Sequence, residues 1–276
     1  MIVSDFDAVK YSILTSIRET GCYSSRNASK GAMLQELHRL LVALKGEYTK
    51  EKSRELVFKD DILNKNTFEN RRAIWNRLNH RYFNVYPKWI ASSLAKVALS
   101  GVNSAEFISL SYLYYALRDR ISYDFIGSTI WKKWNAGITS IGTTDFMEFL
   151  VEAQRSSPDV KKWREITQKR LGSGILAALR DFGLLRGTVI KHIQRPTIAP
   201  ETSYHLLAIL WAEGKRGREI IEASDWKLFL WNETETSDAL IRLAQLGWIK
   251  FERGGKTVIL DMLRTPEANP EESHVE

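Results

Sequence analysis

Lysine and arginine crowd residues 151–200, where ten of them stand against four acids. Lys161, Lys162 and Arg164 precede an amphipathic run, Lys169, Arg170, Ser173 and Arg180 lie along it, and Lys191 and Arg195 follow it. Cations in this arrangement suit a line of phosphates: each one replaces a condensed counterion of a nucleic-acid backbone, and a serine hydroxyl can hydrogen-bond a phosphate oxygen. On a helical wheel Leu171, Ile175, Ala178, Leu179 and Phe182 form one stripe, and Lys169, Arg170, Ser173 and Arg180 fall opposite it. Gly172 and Gly174 interrupt this run, each costing roughly 1 kcal/mol relative to Ala in a helix interior. Close approach explains them, either to a phosphate backbone or to a neighbouring helix.

A second basic concentration spans residues 65–81, with five bases and one acid, Glu69. Phe68, Ile74, Trp75, Leu78 and Tyr82 give a helix over Thr67–Phe83 its apolar stripe, Arg77 and Arg81 share one flank, and Arg72 lies on the other with Asn79. Arg71 projects into the stripe, the position of a paired, half-buried guanidinium. Two readings stand for the flanking arginines: a second backbone contact, or a solvated charged face.

Catalytic patterns are absent from the sequence. The five histidines lack metal-ligand spacing, and Cys22 has no Cys partner. No Gly-rich loop ends in Lys-Ser or Lys-Thr, no Gly-x-Ser-x-Gly elbow occurs, and Asp60-Asp61 is a lone acidic pair. The expectation is a protein with no enzymatic activity, cofactor or metal; an enzyme built from dispersed residues is the alternative left open.

The elements that position the basic residues are legible from a pattern that occurs twice. Leu179-Arg-Asp-Phe-Gly-Leu-Leu-Arg186 reappears as Leu243-Ala-Gln-Leu-Gly-Trp-Ile-Lys250. Each copy reads as a helix end, a Gly able to take the left-handed conformation, and an apolar pair opening a strand. Helix, Gly stop and hairpin in that order end a winged helix-turn-helix. Residues 143–200 therefore form a first winged unit, with helices over Asp145–Arg155, Pro158–Trp163 and Ile166–Phe182 and a wing over Thr188–Ile198. Residues 201–264 form a second, with helices near Ser203–Glu213, Ser224–Trp231 and Thr234–Leu246 and a hairpin turning on Gly254-Gly255. Its third helix exposes Glu235, Asp238, Arg242 and Gln245 after Glu233, a face hostile to phosphate; Lys250, Arg253 and Lys256 lie on its wing. The second unit is accordingly read as a protein-contact or packing module.

Residues 1–140 read as a helical domain. Leu34, Leu37, Leu40, Leu41 and Leu44 mark one helix stopping at Gly46, and others run over Glu51–Phe58, from an Asn66/Glu69 capping box to Phe83, from Pro87 to Leu99, over Ser104–Arg118 and over Ser122–Trp134. The Gly- and Thr-containing stretch Asn135–Thr144 is the expected boundary, and 265–276 an expected disordered tail. The whole is mainly α.

Net charge is +7, but residues 1–200 hold 31 bases against 19 acids while 201–276 hold 9 against 14. A basic body with an acidic end fits a protein that meets phosphate over part of its surface. No apolar run reaches the roughly 18 residues that span a bilayer, and the first residues carry acid where a signal peptide carries base. With Cys22 the only cysteine, a reducing cytoplasm is the expected home, with no membrane association.

Tyr23-Ser-Ser-Arg-Asn-Ala-Ser-Lys-Gly-Ala-Met-Leu-Gln-Glu36, the helix Arg71-Arg-Ala-Ile-Trp-Asn-Arg-Leu78, Pro158-Asp-Val-Lys-Lys-Trp163, Thr167-Gln-Lys-Arg-Leu171 and the Leu179–Leu185 helix stop together resemble the BrxA family of BREX bacteriophage-exclusion systems. The resemblance covers residues 20 to 265 and rests on diffuse patterns. It implies a NusB-like helical N-terminal domain, winged-helix modules, double-stranded DNA binding without catalysis, and other BREX components as partners. A DNA-binding accessory protein of phage defence is the leading reading. A winged-helix transcriptional regulator reading one operator through 166–182 is the next, and an RNA-binding or scaffold module the third.

Overall fold

In the computed structural model, which describes residues 15–26, 31–45, 49–255 and 257–266, short polar side chains cap the helix starts that the apolar periodicity requires. Thr49, Thr67, Ser104 and Asn232 each accept a hydrogen bond from the backbone N–H three residues on. The helices are α1 (Leu34–Ala43), α2 (Lys50–Phe58), α3 (Phe68–Leu78), α4 (Trp89–Ala98), α5 (Ala105–Arg118), α6 (Arg120–Phe125) and α7 (Trp131–Asn135), then α8 (Thr143–Ala153), α9 (Glu165–Asp181), α10 (Pro200–Ala212), α11 (Arg218–Ile221) and α12 (Glu233–Gln245). π-Helical turns extend α3 over Asn79–Phe83 and join α6 to α7 over Ile126–Ile130; 3-10 turns cover Pro158–Lys162 and Ser224–Phe229.

Strands are few and short. β1 (Thr15–Ser16) pairs in parallel with β2 (Val85–Tyr86). β3 (Ser140–Ile141), β4 (Leu185–Arg186) and β5 (Lys191–Ile193) form an antiparallel sheet in the order β3-β5-β4. β6 (Ile249–Gly254) and β7 (Thr257–Met262) make a hairpin. The protein is thus mainly helical with small antiparallel hairpins.

Helix α5 is the packing centre. Its sequence, AEFISLSYLYYALR, has no polar face, and from Ser109 to Arg118 every residue is buried. Such a helix has to satisfy its polar side chains inside the protein, and all its buried ones but the Ser111 hydroxyl do so. Tyr112 Oη donates to the Leu228 carbonyl (2.7 Å), Ser109 Oγ lies 2.7 Å from Thr202 Oγ1, Tyr115 Oη lies 3.0 Å from Ser122 Oγ, and Tyr114 Oη lies 2.9 Å from His205 Nδ1. These bonds join α5 to α10 and to the turn before α12, so the buried apolar residues run as one set from Ile17 to Leu260. Arg18 adds an outer tie, donating to Asp225 (2.7 Å) and pairing with Glu213.

Several sequence expectations change in detail. The cap of α3 is Thr67, because its hydroxyl and not the Asn66 side chain reaches the free N–H of the first turn. Phe68 leaves the apolar stripe of α3: it is half exposed and packs on Phe58, 5.4 Å between ring centres. The stretch expected as a boundary contains β3, whose partner β5 is fifty residues away in sequence and so invisible to local pattern. The wing strand begins at Lys191, not Thr188, and leaves Val189 and Ile190 exposed. Gly254 pairs with Thr257, which moves the second turn one residue on, with Gly255 at φ 58°. Gly46, Lys256 and the tail from 267 onward lie outside the described residues.

The α5–α10 contact carries a pH dependence. His205 is buried, and burial pushes its pKa down from 6.5 to about 3, with Arg264 and Lys96 adding repulsion. The neutral ring shares a hydrogen bond with the Tyr114 hydroxyl and packs against Trp89. The unfolded chain takes up a proton near pH 6.5 that the folded chain refuses until about 3, so stability is full above 6.5 and falls as pH drops through that window. The slope is at most about 1.4 kcal/mol per pH unit for this residue. Thermal melts between pH 7 and 4 are expected to show a falling Tm, with a shallower slope in His205→Gln; parallel slopes would remove His205 as the origin.

Candidate nucleic-acid interface

The position of α9 is fixed from beneath. Leu171, Ile175, Leu176, Ala178, Leu179 and Phe182 are buried, as the helical wheel requires for all but Leu176, which widens the stripe. Gly172 faces inward as well. A Cβ placed on it would lie 2.6 Å from Cδ1 of Phe146, which is itself held between Phe125 and Phe149. Of the two readings of this glycine, close helix packing is the one found: α8 comes near enough to α9 to forbid a methyl group. The C-terminus closes on Gly183, φ 83°, with Leu184 N–H bonded to the Leu179 carbonyl (2.9 Å) and Gly183 N–H to that of Arg180 (3.0 Å). Helix α12 ends identically: Gly247 has φ 71°, Trp248 N–H meets the Leu243 carbonyl (3.0 Å) and Gly247 N–H that of Ala244 (2.9 Å). The repeated sequence pattern is a repeated structure.

With the inner face so fixed, Lys169, Arg170 and Ser173 are exposed on α9, preceded by exposed Lys161, Lys162 and Arg164. Among the described residues no acid pairs with Lys161, Arg164 or Arg170. Lys169 pairs with Glu165 (2.5 Å) and Lys162 with Asp159, exposed pairs worth little against water and salt. Arg180 is partly buried and pairs with Asp181 (2.9 Å). On the wing, Lys191 is half-buried and its ammonium donates to the Thr188 carbonyl (2.9 Å). Arg195 is committed elsewhere: it pairs with Glu235 (2.5 Å) and lies over the Trp134 ring. Arg186 is exposed on β4 and was not among the expected contacts, although the in-out alternation after buried Leu185 is its signal.

The arginines of the second basic concentration separate. Arg72 is exposed beside the groove between α2 and α3. Arg71 pairs with Asp61 (3.3 Å) and is half-buried, as its place in the apolar stripe indicates. Arg77 is half-buried and donates to the Ala73 carbonyl (3.1 Å). Arg81 is withdrawn as a DNA contact, because it is 1% exposed, donates to the carbonyls of Gly31 (3.1 Å) and Ala32 (3.4 Å), and lies over the Tyr115 ring at 4.9 Å. The π-helical turn at Asn79–Phe83 breaks the 3.6-residue period that had placed Arg81 on the flank of Arg77.

The described cations of the second hairpin lie beside acids. Arg253 pairs with Glu233 (2.5 Å) and Lys250 lies 3.5 Å from Glu252. On α12, Asp238, Arg242 and Gln245 are exposed, and Glu235 closes a capping box with Asn232. Asp61, half of the lone acidic pair, is held by Arg71 and by the Lys65 N–H (3.2 Å). Among the described residues no group of three or more His, Cys, Asp or Glu is arranged to hold a metal ion, and no helix is long and apolar enough to cross a membrane.

The model of the BrxA family matches residues 22–210, more than half of the chain. No curated protein matches the chain. Among solved structures, the crystal structure of an uncharacterized protein from Magnetospirillum magneticum superposes with a TM-score of 0.58 at 12% sequence identity, covering 76% of this chain and 100% of that chain. At that identity the likeness is one of fold.

The Gly172–Phe146 contact generates a test of how α9 is held. Ala improves on Gly by roughly 1 kcal/mol in a helix interior, whereas overpacking a filled core costs about 1–3 kcal/mol. Gly172→Ala is therefore expected to lower stability by about 1 kcal/mol in chemical denaturation. A variant more stable than the wild type would mean that Phe146 yields and that the contact does not set the helix position.

Proposed function

Because this chain belongs to the BrxA family, we propose that it is a non-catalytic, double-stranded-DNA-binding component of a BREX phage-defence system, working in the cytoplasm with other BREX components. Residues 143–200 and 201–264 are read as two winged helix-turn-helix units behind a helical N-terminal domain of about 140 residues, NusB-like as the family resemblance implies. The observation that carries the reading is the outer face of α9, where Lys169, Arg170 and Ser173 stand exposed beyond Lys161, Lys162 and Arg164. Support for the winged form comes from β3-β5-β4, in which a strand ahead of the first helix joins the hairpin that follows the last.

In this reading α9 lies in the major groove, while Arg164, Lys161 and Lys162 at its N-terminal approach and Arg186 on the wing meet the backbone. Affinity comes from counterion release and is strongly salt-dependent. The second unit, whose third helix exposes Asp238 and whose Arg253 and Lys250 lie beside Glu233 and Glu252, serves packing or protein contact.

Replacing Lys169 and Arg170 together by Glu is expected to remove most binding to a random-sequence duplex and leave the circular dichroism unchanged, since both side chains point away from the core. Arg242→Glu, set beside Glu235 and Asp238, should bind as wild type. For the wild type, log affinity should fall with log salt at a slope near −0.9 per phosphate neutralised. Wild-type binding by the 169/170 variant together with loss in Arg242→Glu would move the contact to the second unit, and a flat salt response would end the DNA reading. Preference for one sequence by about 10³-fold or more over random DNA would favour a transcriptional regulator. With Mg²⁺, the protein is expected to leave plasmid DNA intact; nicking lost on Asp60→Ala with Asp61→Ala would make it an enzyme.

A further inference from the structure

The hairpin that follows α9 is anchored at its base and bare at its tip. Leu185 and Ile193, opposite each other on β4 and β5, are buried, and Arg186 pairs with His192 one step further out. Gly187–Ile190 then make the tip. Gly187 has φ 89°, and a Cβ placed on it would collide with the Ile190 carbonyl oxygen, so the backbone doubles back where only glycine fits. Across the same turn the Lys191 ammonium donates to the Thr188 carbonyl (2.9 Å). Between these two constraints stand Val189 and Ile190, 93% and 69% exposed. Val189 is the most exposed large apolar side chain among the described residues.

A single exposed apolar residue is ordinary on a protein surface, but two in succession on a stapled turn are a prepared contact. Their surroundings indicate its kind. From Phe182 to Pro200 the chain holds Arg186, Lys191 and Arg195 and no acid. Arg195 is turned toward Glu235, whereas Arg186 is exposed beside the tip and no acid pairs with it or with Lys191 among the described residues. An apolar point between cations complements a narrow cleft with phosphates on both lips and stacked bases beneath, which is the duplex minor groove, about 6 Å wide. A protein hollow could bury the pair without those cations. Neither side chain can hydrogen-bond a base edge, so the pair cannot read sequence directly; it can part a base step, as apolar wedges in minor grooves do.

Resting on the reading of α9 as a major-groove helix, we propose that Val189 and Ile190 form an apolar wedge for the neighbouring minor groove. The wedge partly unstacks one base step and bends the duplex, while Arg186 and Lys191 meet the phosphates on the groove's lips. Its selectivity is for deformable steps and not for base identity, since pyrimidine–purine steps such as TA part most easily. The two contacts differ in kind. Lys169, Arg170 and Arg186 displace counterions and set the salt dependence, to which an apolar wedge adds nothing.

The test uses the full chain and a duplex of repeated TA steps, with 2-aminopurine in place of some adenines and a dye at each end. On saturation with the wild type, 2-aminopurine fluorescence should rise as steps unstack, and energy transfer between the ends should increase as the duplex bends. Val189→Ser with Ile190→Ser should leave the circular dichroism unchanged, because both side chains are exposed. That variant should lose both signals and bind at least about ten-fold more weakly, with the salt slope of the wild type. Val189→Ile with Ile190→Val keeps the wedge and should behave as wild type. The wild type should also prefer the TA duplex to a stiff A-tract, a preference the serine variant loses. Wild-type binding with neither signal, or undiminished affinity and signals in the folded serine variant, overturns the wedge and leaves the tip to a protein contact. Failure of the wild type to bind any duplex would instead end the reading of α9 on which the wedge rests.

Discussion

Burying a helix on every side makes each unmet polar group on it costly, and all the buried polar side chains of α5 except the Ser111 hydroxyl find a partner elsewhere in the protein. Ser109, Tyr112, Tyr114 and Tyr115 could not be buried without acceptors or donors at defined positions, and those positions lie on α10, on the turn at Leu228 and on α6. An unmet bond in such a place costs roughly 1–3 kcal/mol, comparable with a large fraction of the stability of a typical domain. The hydroxyls therefore dictate where the later elements dock, and the apolar contacts fill in around them. Arg118 at the end of the same helix extends the rule to the N-terminal segment through the Ser16 carbonyl.

Charge is distributed by a related logic. In the second repeat Arg253 and Lys250 have Glu233 and Glu252 close by, and Glu235 turns aside to reach Arg195 of the first. In the first repeat Lys161, Arg164 and Arg170 have no such partners among the described residues. Two copies of one backbone pattern thus carry different surface charge: cations predominate on the outer face of the first, and acids stand beside the hairpin cations of the second.

Much of this was legible in the sequence because it is local. The repeated Gly stops, the stripe Leu171–Phe182 and the leucines of α1 follow from spacing alone. What escaped depends on distant partners or on a broken period. β3 exists only because β5 returns beside it, the β1–β2 pair joins segments seventy residues apart, and the π-helical turn rotated Arg81 from a surface flank into the core. Arg195 was read as a wing contact since nothing in its own neighbourhood reveals Glu235, forty residues on.

The contact between Gly172 and Phe146 has a bearing on how such a protein can change over generations. Because a side chain at Gly172 would have to displace Phe146, change there is costly, while Lys169, Arg170 and Ser173 stand exposed. Inheritance is thereby split along a single helix: one side preserves an address in space, the other is free to rewrite what is presented at that address. A substitution on the outward side can alter the exposed charge while leaving the packed side, and so the helix position, as it is.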